Sequence, residues 1–397
     1  MIICLLGGYA QGVEDLADRM AKSLGENAEI RPFPLDFENY PDQALADTDH
    51  LATDTEAALA TWKKSMEKRC HQAIRDLLAS PPSTQQIVLL RSCGEGLIPP
   101  NPYLRFLVDL AGWYNQVLCE LADRVYWVQA GQSFLVKQTP ALYFDIHFMR
   151  HGTSEANLEG RYAGVWDTPL CDEAREKAKA LGAEMKEDLA SFSYFFASPK
   201  SRARETATLV SGRTLYDGLD LIPGFSERNF GPFEHHNFEE LKDSQAYRTF
   251  VETAGVEAPE GAENQEQLRK RLTGAFQDLG QRLAWPERYG TGSLSLLDHS
   301  LDGGSSQPKK VLLVCHAGVM MEMVTMLVEN PLIGRDPKAY PGYYFALTHG
   351  LDIGAQEGGI SSDELAESPV QFYNYLPANL EILKLSFKLV LPSGSLQ

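Results

Sequence analysis

The chain has 397 residues, enough for roughly two or three domains, and 36 Lys and Arg against 54 Asp and Glu give a net charge of −18. This acidity argues against a nucleic-acid binder held by phosphate contacts and against docking on an anionic membrane surface. With 44% hydrophobic and 23% charged residues, the composition is that of a globular protein, so disorder is excluded as the main state.

The cysteines and the N-terminus favour a soluble protein of a reducing compartment. None of the six cysteines belongs to a C-x-x-C pair, so neither a zinc knuckle nor a disulfide framework is indicated. Residues 1–6 are apolar but lack a basic segment and run into a Gly-Gly pair, which favours a strand over a signal peptide. No apolar run approaches the ~18 residues that span a membrane. We therefore expect a cytoplasmic protein that binds neither membranes nor nucleic acid.

Residues 1–137 predict one α/β domain. The hydrophobic pattern predicts strands over 2–6, 86–90 and 124–128 and helices over 13–24, 53–78 and 103–122. Such alternation implies a parallel sheet. The polar, proline-containing segment 31–49 receives no assignment.

A linker at 138–143 leads into a second α/β series over 144–397. The pattern predicts strands over 142–149, 194–197 and 311–314 and helices over 173–189, 201–210 and within 237–284. Residues 289–308, rich in Gly and Ser, are expected to form an exposed, mobile insertion. The predicted fold class is therefore α/β, with two three-layer domains and no internal repeat.

Four polar motifs follow one another in the second half, and three of them stand at the predicted ends of strands. They supply Arg150 and His151 after the first strand, Arg202 after the second, Glu227 in a Gly/Pro loop, and His316 after the third strand. Open α/β sheets keep their sites at the carboxyl ends of strands, so we expect these side chains to converge.

The residue types suit attack on a phosphoryl group. A neutral imidazole can be phosphorylated directly, which makes His151 the candidate nucleophile. Fixed cations near the non-bridging oxygens can replace a metal ion, and Arg150, Arg202 and His316 can supply them. Glu227 can protonate the leaving alkoxide if a bound phosphate raises its pKa. We therefore expect chemistry that uses neither a metal nor a cofactor.

The motifs resemble those of the histidine phosphatase superfamily, also called phosphoglycerate-mutase-like, over residues 144–385. In such proteins the histidine of Arg-His-Gly, here His151, is the nucleophile. The resemblance assigns the phosphate pocket to Arg150, Arg202 and His316. It assigns the role of proton donor to Glu227. It also implies phosphate or substrate contacts for Ser154, Asn157, Arg161, Gly164 and Ala317.

The sequence departs from the family pattern in places. Thr153 stands where Glu or Gln is more common after Arg-His-Gly. Ala317 replaces the first glycine of the usual His-Gly-Gly, but its N–H stays available to an anion. The usual Gly-Glu-Ser is replaced around Glu263, so no role is assigned to that residue.

A strand-to-helix loop in the first half, with Gly7, Gly8 and Gly12, has the position of a phosphate-binding loop. Val13 and Glu14 stand where such a loop needs Lys and then Ser or Thr, which disfavours nucleotide hydrolysis or transfer. The half resembles adenosylcobinamide kinase/adenosylcobinamide-phosphate guanylyltransferase over 2–12 and 86–137, without the guanylylated histidine of that enzyme.

We interpret the first half as a degenerate, P-loop-NTPase-like parallel sheet that serves in docking and is a candidate for homo-oligomer formation. A corrinoid- or nucleotide-binding module is an alternative, and an active transferase is a less favoured one. Equilibrium binding to this half would separate a module from a passive scaffold.

Together the halves point to cobalamin assembly, because one family of histidine phosphatases dephosphorylates α-ribazole 5′-phosphate. The sequence thus predicts a phosphomonoester hydrolase that works through phosphohistidine, with α-ribazole 5′-phosphate as the small-molecule substrate. A phosphatase of general small metabolites and a phosphoglycerate mutase stay open as alternatives.

Overall fold

The computed structural model describes residues 1–7, 12–35, 52–81, 84–92, 101–139, 142–284, 308–335, 343–348 and 377–391. The chain divides into two compact units, one containing Met1–Ala141 and the other beginning at Leu142. Gly8 and, apart from Pro308, the predicted insertion at 289–308 lie outside the described residues. Within the described parts of the chain, no helix is long and apolar enough to cross a membrane.

The first unit alternates strands and helices, as its hydrophobic pattern predicts. In chain order its elements are β1 (Ile2–Gly7), α1 (Val13–Leu24), β2 (Ala28–Arg31), α2 (Ala52–Leu78), β3 (Gln85–Arg91), α3 (Pro102–Leu121), β4 (Arg124–Gln129) and β5 (Gln132–Gln138). The described strands form one sheet in the order β2-β3-β1-β4-β5, in which β1 to β4 pair in parallel. The α/β class of this half is therefore confirmed.

The last strand departs from the predicted parallel sheet, because β5 pairs antiparallel with β4. Ala130 and Gly131 join the two strands, and both have positive φ angles, 50° and 73°. Such a turn suits a hairpin, but alanine is an unfavourable residue for its first position. The sequence therefore carries no strong hairpin signal here, and β5 was not predicted.

The described glycines of the phosphate-loop motif have structural roles in the first unit. A side chain on Gly7 would approach Val13 Cγ2 to 2.6 Å and Val128 O to 2.8 Å, so α1 and β4 pack against its backbone. Gly12 has a φ of 80°, which favours glycine, and it immediately precedes α1. Val13 itself is buried in the core with Leu5.

The second unit contains the remaining elements. In chain order they are β6 (Leu142–Arg150), α4 (Glu155–Leu158), α5 (Asp172–Glu184), α6 (Lys186–Leu189), β7 (Phe192–Ala197), α7 (Ser201–Ser211), β8 (Leu219–Leu221), α8 (Phe238–Leu241), α9 (Gln245–Glu252), α10 (Gln265–Ala284), β9 (Lys309–Cys315), α11 (Ala317–Glu329), β10 (Leu332–Ile333), β11 (Tyr344–Leu347) and β12 (Ile382–Val390).

The described strands of this unit form a mixed sheet in the order β10-β11-β12-β6-β9-β7-β8. β6, β9, β7 and β8 run parallel, whereas β10, β11 and β12 continue the sheet antiparallel on the other side of β6. The sequence pattern predicted β6, β7 and β9 but not β8 or the antiparallel side. The single helix predicted over 173–189 is two helices, α5 and α6, which end and begin on either side of Met185.

Helices cover both faces of this sheet. Phe148 of β6 packs in one cluster with Phe276 of α10, whereas the next residue, Met149, packs in another with Ala178 of α5 and Ala203 of α7. Since neighbouring residues of a strand point to opposite faces, the sheet lies between two helical layers. The predicted three-layer architecture of the second half is confirmed.

Three neighbouring parallel strands end at one edge of the sheet. Arg150 in β6 aligns with Cys315 in β9, and Val314 aligns with Ala197 in β7. The His151 N–H then donates to the Cys315 carbonyl at 3.0 Å. The residues that follow the three strands are therefore held side by side, at the carboxyl edge where open α/β sheets keep their sites.

Away from this edge, His147 of β6 is a buried titratable group. It is 4% exposed and packs edge-on against Phe192, with ring centres 4.7 Å apart. Burial, and then the charge of Lys384, lowers its pKa from 6.5 to about 4, although Asp188 opposes the shift and Lys310 adds to it. His147 is therefore neutral at pH 7.

We predict that His147 makes the protein less stable as the pH falls from 7 to 5. The unfolded chain binds a proton near pH 6.5 that the folded chain binds only near pH 4, so the free energy of unfolding decreases through this window. The decrease is about 2 kcal/mol by pH 5, and His147→Phe should remove it. Urea unfolding at pH 7 and 5 measures the difference, with His236→Phe at an exposed site as the control. An equal pH-dependent loss in wild type and His147→Phe would contradict the prediction.

Candidate active site

The structure brings the residues of the four sequence motifs together at the carboxyl edge of the sheet. His151 follows β6, His316 follows β9, and Arg202 lies in the first turn of α7, which follows β7. The two histidine rings are 5.0 Å apart between centres. A cavity of about 500 Å³ opens here, and Arg150, His151, Arg202 and Glu227 line it.

His151 is held in one tautomer. It is 3% exposed, and its Nδ1 lies 2.7 Å from the Gly152 carbonyl oxygen, which can only accept a hydrogen bond. Nδ1 therefore carries the hydrogen, and Nε2 accepts a hydrogen bond from Arg202 Nε at 3.2 Å. Burial and the charge of Arg202 hold the His151 pKa well below its usual value. The ring is neutral, with the lone pair on Nε2.

Arg202 is a cation that is 1% exposed, and no carboxylate of the described residues forms a hydrogen bond with it. Its Nη2 donates to the Ala163 carbonyl at 2.7 Å and its Nη1 to the Trp166 carbonyl at 3.2 Å. The nearest carboxylate oxygen among the described residues, on Asp167, lies 3.9 Å from Nη1. Carbonyl oxygens orient the guanidinium but do not neutralise its charge, which stays available to an anion.

The loop that supplies these carbonyls is held by Glu234. Its carboxylate accepts hydrogen bonds from the N–H groups of Gly164, Val165 and Trp166 at 2.9–3.2 Å. The loop thus offers its N–H groups to Glu234 and two of its carbonyls to Arg202. Sequence analysis assigned Glu234 no role, because a carboxylate in a Gly/Pro loop is also typical of an exposed surface.

Gly164 is placed differently from what the resemblance implies. Its N–H is taken by Glu234, and the residue is not among those that line the cavity. A side chain at this position would come within 1.8 Å of the Arg228 carbonyl oxygen, so glycine is required by the close packing of two loops. The predicted substrate contact therefore has no support in this geometry.

His316 is fully buried next to His151 and is not among the residues that line the cavity. Its Nε2 is 2.8 Å from Ser198 Oγ, and its Nδ1 has no hydrogen-bond partner among the described residues. Burial, and then the neighbouring His151 and Arg202, holds the His316 pKa well below its usual value. His316 is therefore a neutral hydrogen-bonding group here, not the cation that the sequence analysis expected.

Arg150 is tied to the segment that precedes β12. Its Nη1 donates to the Pro377 carbonyl at 2.6 Å, and its backbone bonds to Leu380 and Glu381. In the same segment, Asn379 Nδ2 donates to the His151 carbonyl at 2.8 Å. The Arg150 Nε is buried without a partner in the described part of the chain, so one donor at the cavity wall is unused.

Glu227 stands at the N-terminus of α11. Its Oε1 accepts from the Arg228 N–H at 2.8 Å and its Oε2 from the Gly318 N–H at 3.2 Å. A helix N-terminus stabilises a negative charge. A side chain on Gly318 would come within 2.6 Å of Glu227 Oε1, so glycine lets the carboxylate approach the helix. Ala317, at the first position of α11, also lines the cavity.

The remaining predicted contacts line the cavity as well. Ser154 and Asn157 form the capping box of α4, in which Ser154 Oγ accepts from the Asn157 N–H and Asn157 Oδ1 from the Ser154 N–H. Arg161 is partly exposed and bonds to Glu159 and Glu240. These contacts fix the wall of the cavity and occupy part of the bonding capacity of each side chain.

The rest of the cavity lining is mixed and includes Met321, Glu322 and Thr325, and one part of it is aromatic. We call this part the aromatic arm, and its members are Tyr162, Phe230, Phe238, Tyr247 and Phe250. The hydroxyls of Tyr162 and Tyr247 are 2.7 Å apart, so the two polar ends satisfy each other. The sequence analysis did not find the arm, because its residues come from separate loops and short helices that no single motif links.

Comparison with known proteins agrees with this geometry. Residues 146–286 match the histidine phosphatase superfamily (branch 1), so this part of the chain is similar to that superfamily. An adenosylcobalamin/alpha-ribazole phosphatase of Salmonella typhimurium is 28% identical over 186 residues, 46% of this chain and 79% of that protein. A 2,3-bisphosphoglycerate-dependent phosphoglycerate mutase of Bartonella henselae is 33% identical over 96 residues, 24% of this chain and 47% of that protein. Similarity to phosphatases and mutases identifies the chain as an enzyme.

A solved structure of the alpha-ribazole phosphatase from Shigella flexneri also aligns with the chain. The TM-score is 0.36 at 23% identity, and the alignment covers 47% of this chain and 81% of that one.

We predict that Glu234→Gln weakens the binding of inorganic phosphate by about tenfold. The amide places an NH₂ group against backbone N–H groups, so the loop loses hydrogen bonds and its carbonyls no longer hold Arg202. Titration calorimetry with phosphate measures the change. Glu240→Gln is the matched control, because it removes the same charge from a carboxylate that contacts Arg161 and His236 and not the backbone of this loop. Equal affinities in the two variants would show that Glu234 does not position Arg202.

Proposed function

We propose that the chain hydrolyses phosphate monoesters through a phosphohistidine at His151 and without a metal ion. The observation that carries the proposal is the neutral, buried His151, whose unprotonated Nε2 faces a buried arginine instead of a carboxylate. A neutral imidazole nitrogen is a competent nucleophile toward phosphorus. The arginine supplies the positive charge that draws a phosphate to that nitrogen.

In the first step, the phosphate of the ester binds between Arg150 and Arg202, whose two charges match a dianion. His151 Nε2 attacks phosphorus, a nitrogen–phosphorus bond forms, and the phosphorus–oxygen bond to the alcohol breaks. Glu227, protonated in the ester complex, gives its proton to the leaving alkoxide. The Arg202 N–H that bonds to Nε2 in the free site moves to a phosphoryl oxygen.

In the second step, water attacks the phosphohistidine. Glu227, now a carboxylate, takes a proton from the water, and the nitrogen–phosphorus bond breaks. Inorganic phosphate leaves, and His151 returns to its neutral tautomer with Nδ1 bonded to Gly152. The two arginines hold the three non-bridging oxygens throughout, which is the task of a metal ion in other phosphoryl-transfer sites.

The aromatic arm supports a substrate whose alcohol carries a planar, largely apolar group. We propose α-ribazole 5′-phosphate, whose aromatic base would stack in the arm while its phosphate reaches His151. The similarity to the Salmonella typhimurium phosphatase supports this choice. A phosphatase of general small metabolites is the second candidate, because the charged end of the cavity would serve any phosphomonoester.

A phosphoglycerate mutase is less well supported. Its substrate would place a carboxylate in the aromatic arm. Of the lining arginines beyond the phosphate end, Arg161 already bonds to two carboxylates and Arg228 to the carbonyls of Glu263 and Gly255. A second anionic group would have to displace one of these contacts, which makes the arm better suited to a neutral group.

For the first unit, we propose a degenerate relative of adenosylcobinamide kinase/guanylyltransferase with a docking role in cobalamin assembly. The parallel strands β3, β1 and β4, with α1 directly after β1, support an evolutionary relationship to P-loop proteins. Val13, which stands at the position of the lysine of such a loop, is buried in the core and cannot contact a nucleotide phosphate. Binding of a corrinoid or nucleotide by this unit remains the alternative.

The test is steady-state hydrolysis of α-ribazole 5′-phosphate, phenyl phosphate, phosphoserine and 3-phosphoglycerate in the presence of EDTA. We expect kcat/KM to be highest for the ribazole ester and to fall by at least about 10⁴-fold in His151→Ala. His236→Ala, at an exposed histidine, is the control. Trapping of a labelled phosphoenzyme in the wild type would identify the intermediate. Loss of the label in acid would identify it as phosphohistidine, because phosphoserine is stable in acid.

Two outcomes would change the proposal. Turnover that survives His151→Ala would show that the nucleophile is misassigned. Turnover of all four esters at similar kcat/KM would keep the mechanism but overturn the preference for an aromatic alcohol.

A further inference from the structure

A serine outside the predicted site residues contacts His316. Ser198 directly follows β7, is 0% exposed, and donates its backbone N–H to the Val314 carbonyl at 2.9 Å. Its hydroxyl lies 2.8 Å from His316 Nε2 and also accepts the Lys200 backbone N–H at 3.3 Å. The hydroxyl is therefore fixed between a backbone donor and a histidine nitrogen.

The hydrogens of this pair can be counted. Because the Lys200 N–H is a donor, the Ser198 hydroxyl accepts there and still has its own hydrogen to place. Among the described partners of the hydroxyl, the group that can accept it is His316 Nε2. The opposite arrangement would leave a buried hydroxyl hydrogen unsatisfied, at a cost of about 1–3 kcal/mol. Ser198 therefore donates to Nε2, which carries no hydrogen.

A neutral imidazole with a bare Nε2 carries its hydrogen on Nδ1. In His316 this atom is buried and has no hydrogen-bond partner among the described residues. An unsatisfied buried donor is unfavourable unless a ligand completes it. The ring centre lies 5.0 Å from that of His151, close enough for one phosphoryl group to contact both rings.

We propose that Ser198 is a positioning residue, which fixes His316 as the Nδ1–H tautomer so that it donates to an oxygen of the transferring phosphoryl group. The proposal rests on the proposed phosphoryl transfer at His151. No proton leaves His316 in either step, since it acts as a neutral donor. The two arginines alone then balance the charge of a phosphate dianion. His316 helps to orient the phosphoryl group without adding charge.

The tautomer can be read directly by nitrogen NMR of the full chain labelled at the imidazole nitrogens of its nine histidines. His316→Gln assigns the resonances of His316 by their loss. We expect a protonated, pyrrole-type Nδ1 and a bare, pyridine-type Nε2 in the wild type. We expect Ser198→Ala to mix the two tautomers and Ser198→Thr, which keeps the hydroxyl, to restore the wild-type pattern. A protonated Nε2 in the wild type would overturn the proposal.

Kinetics provide an independent readout. Loss of a donor to developing charge costs about 10²–10³-fold in kcat, so His316→Gln should show a loss of that size and Ser198→Ala a smaller one of about tenfold. The amide nitrogen of asparagine can stand near Nδ1 and that of glutamine near Nε2, so His316→Asn should retain more activity than His316→Gln. In the His316→Asn background, Ser198→Ala should have no further effect on kcat, because no tautomer is left to fix.

The outcomes separate this inference from the proposed function. If the wild type hydrolyses no phosphate monoester, the proposed function fails, and the NMR measurement shows whether the tautomer is nevertheless as stated. If the wild type is active and Ser198→Ala lowers kcat equally with histidine or asparagine at position 316, Ser198 has only a structural role and the inference fails.

Discussion

The register of β6 against β9, and of β9 against β7, decides where the chemistry of this protein can occur. The three strands are parallel neighbours and end in register, so the residues that follow them are held within contact of each other. His151 and His316 follow two of these strands directly, and Ser198 follows the third. A shift of one residue between any two strands would turn the side chains to opposite faces of the sheet and separate the groups.

The charges at this edge are arranged so that no carboxylate of the described residues forms a hydrogen bond with Arg202. Arg202 is buried among carbonyl oxygens, with the Asp167 carboxylate 3.9 Å away, and both histidines are neutral. A buried arginine paired with a carboxylate would already be neutralised and would attract an anion weakly. Glu234 contributes to this arrangement without pairing with Arg202, because it bonds to the N–H side of the loop whose carbonyl side holds the guanidinium.

The convergence of the charged residues at one sheet edge could be predicted from the sequence, whereas the aromatic lining of the cavity could not, for a physical reason. Arg150, His151, Arg202 and His316 stand in short motifs beside apolar strands, so a local pattern locates them at one sheet edge. The aromatic arm is assembled from several segments that become neighbours only in the folded chain, and no local pattern links them. The protonation state of His316 could not be predicted from the sequence either. Burial makes the ring neutral, and no sequence motif indicates that burial.

The same limit applies to the fold. Alternating strands and helices predicted the parallel parts of both sheets, whereas β5 and the antiparallel side of the second sheet depend on turns and long-range pairing. The hairpin at Ala130 and Gly131 lacks the residues that usually signal such a turn. The role of the glycines could not be decided from the sequence either. Gly7 and Gly164 stand in motifs that bind phosphate elsewhere, but here they allow close packing of neighbouring segments.

The attachment of Arg150 and His151 to the segment before β12 has a consequence for the order in which the protein assembles. Asn379 bonds to the His151 carbonyl across 228 positions of the chain, and β12 pairs along most of β6. During synthesis, β6 leaves the ribosome long before its antiparallel partner, and contacts of such high contact order form slowly. His151 is therefore among the last residues of the domain to reach their final position, and until β12 has been synthesised β6 forms an open edge of the sheet.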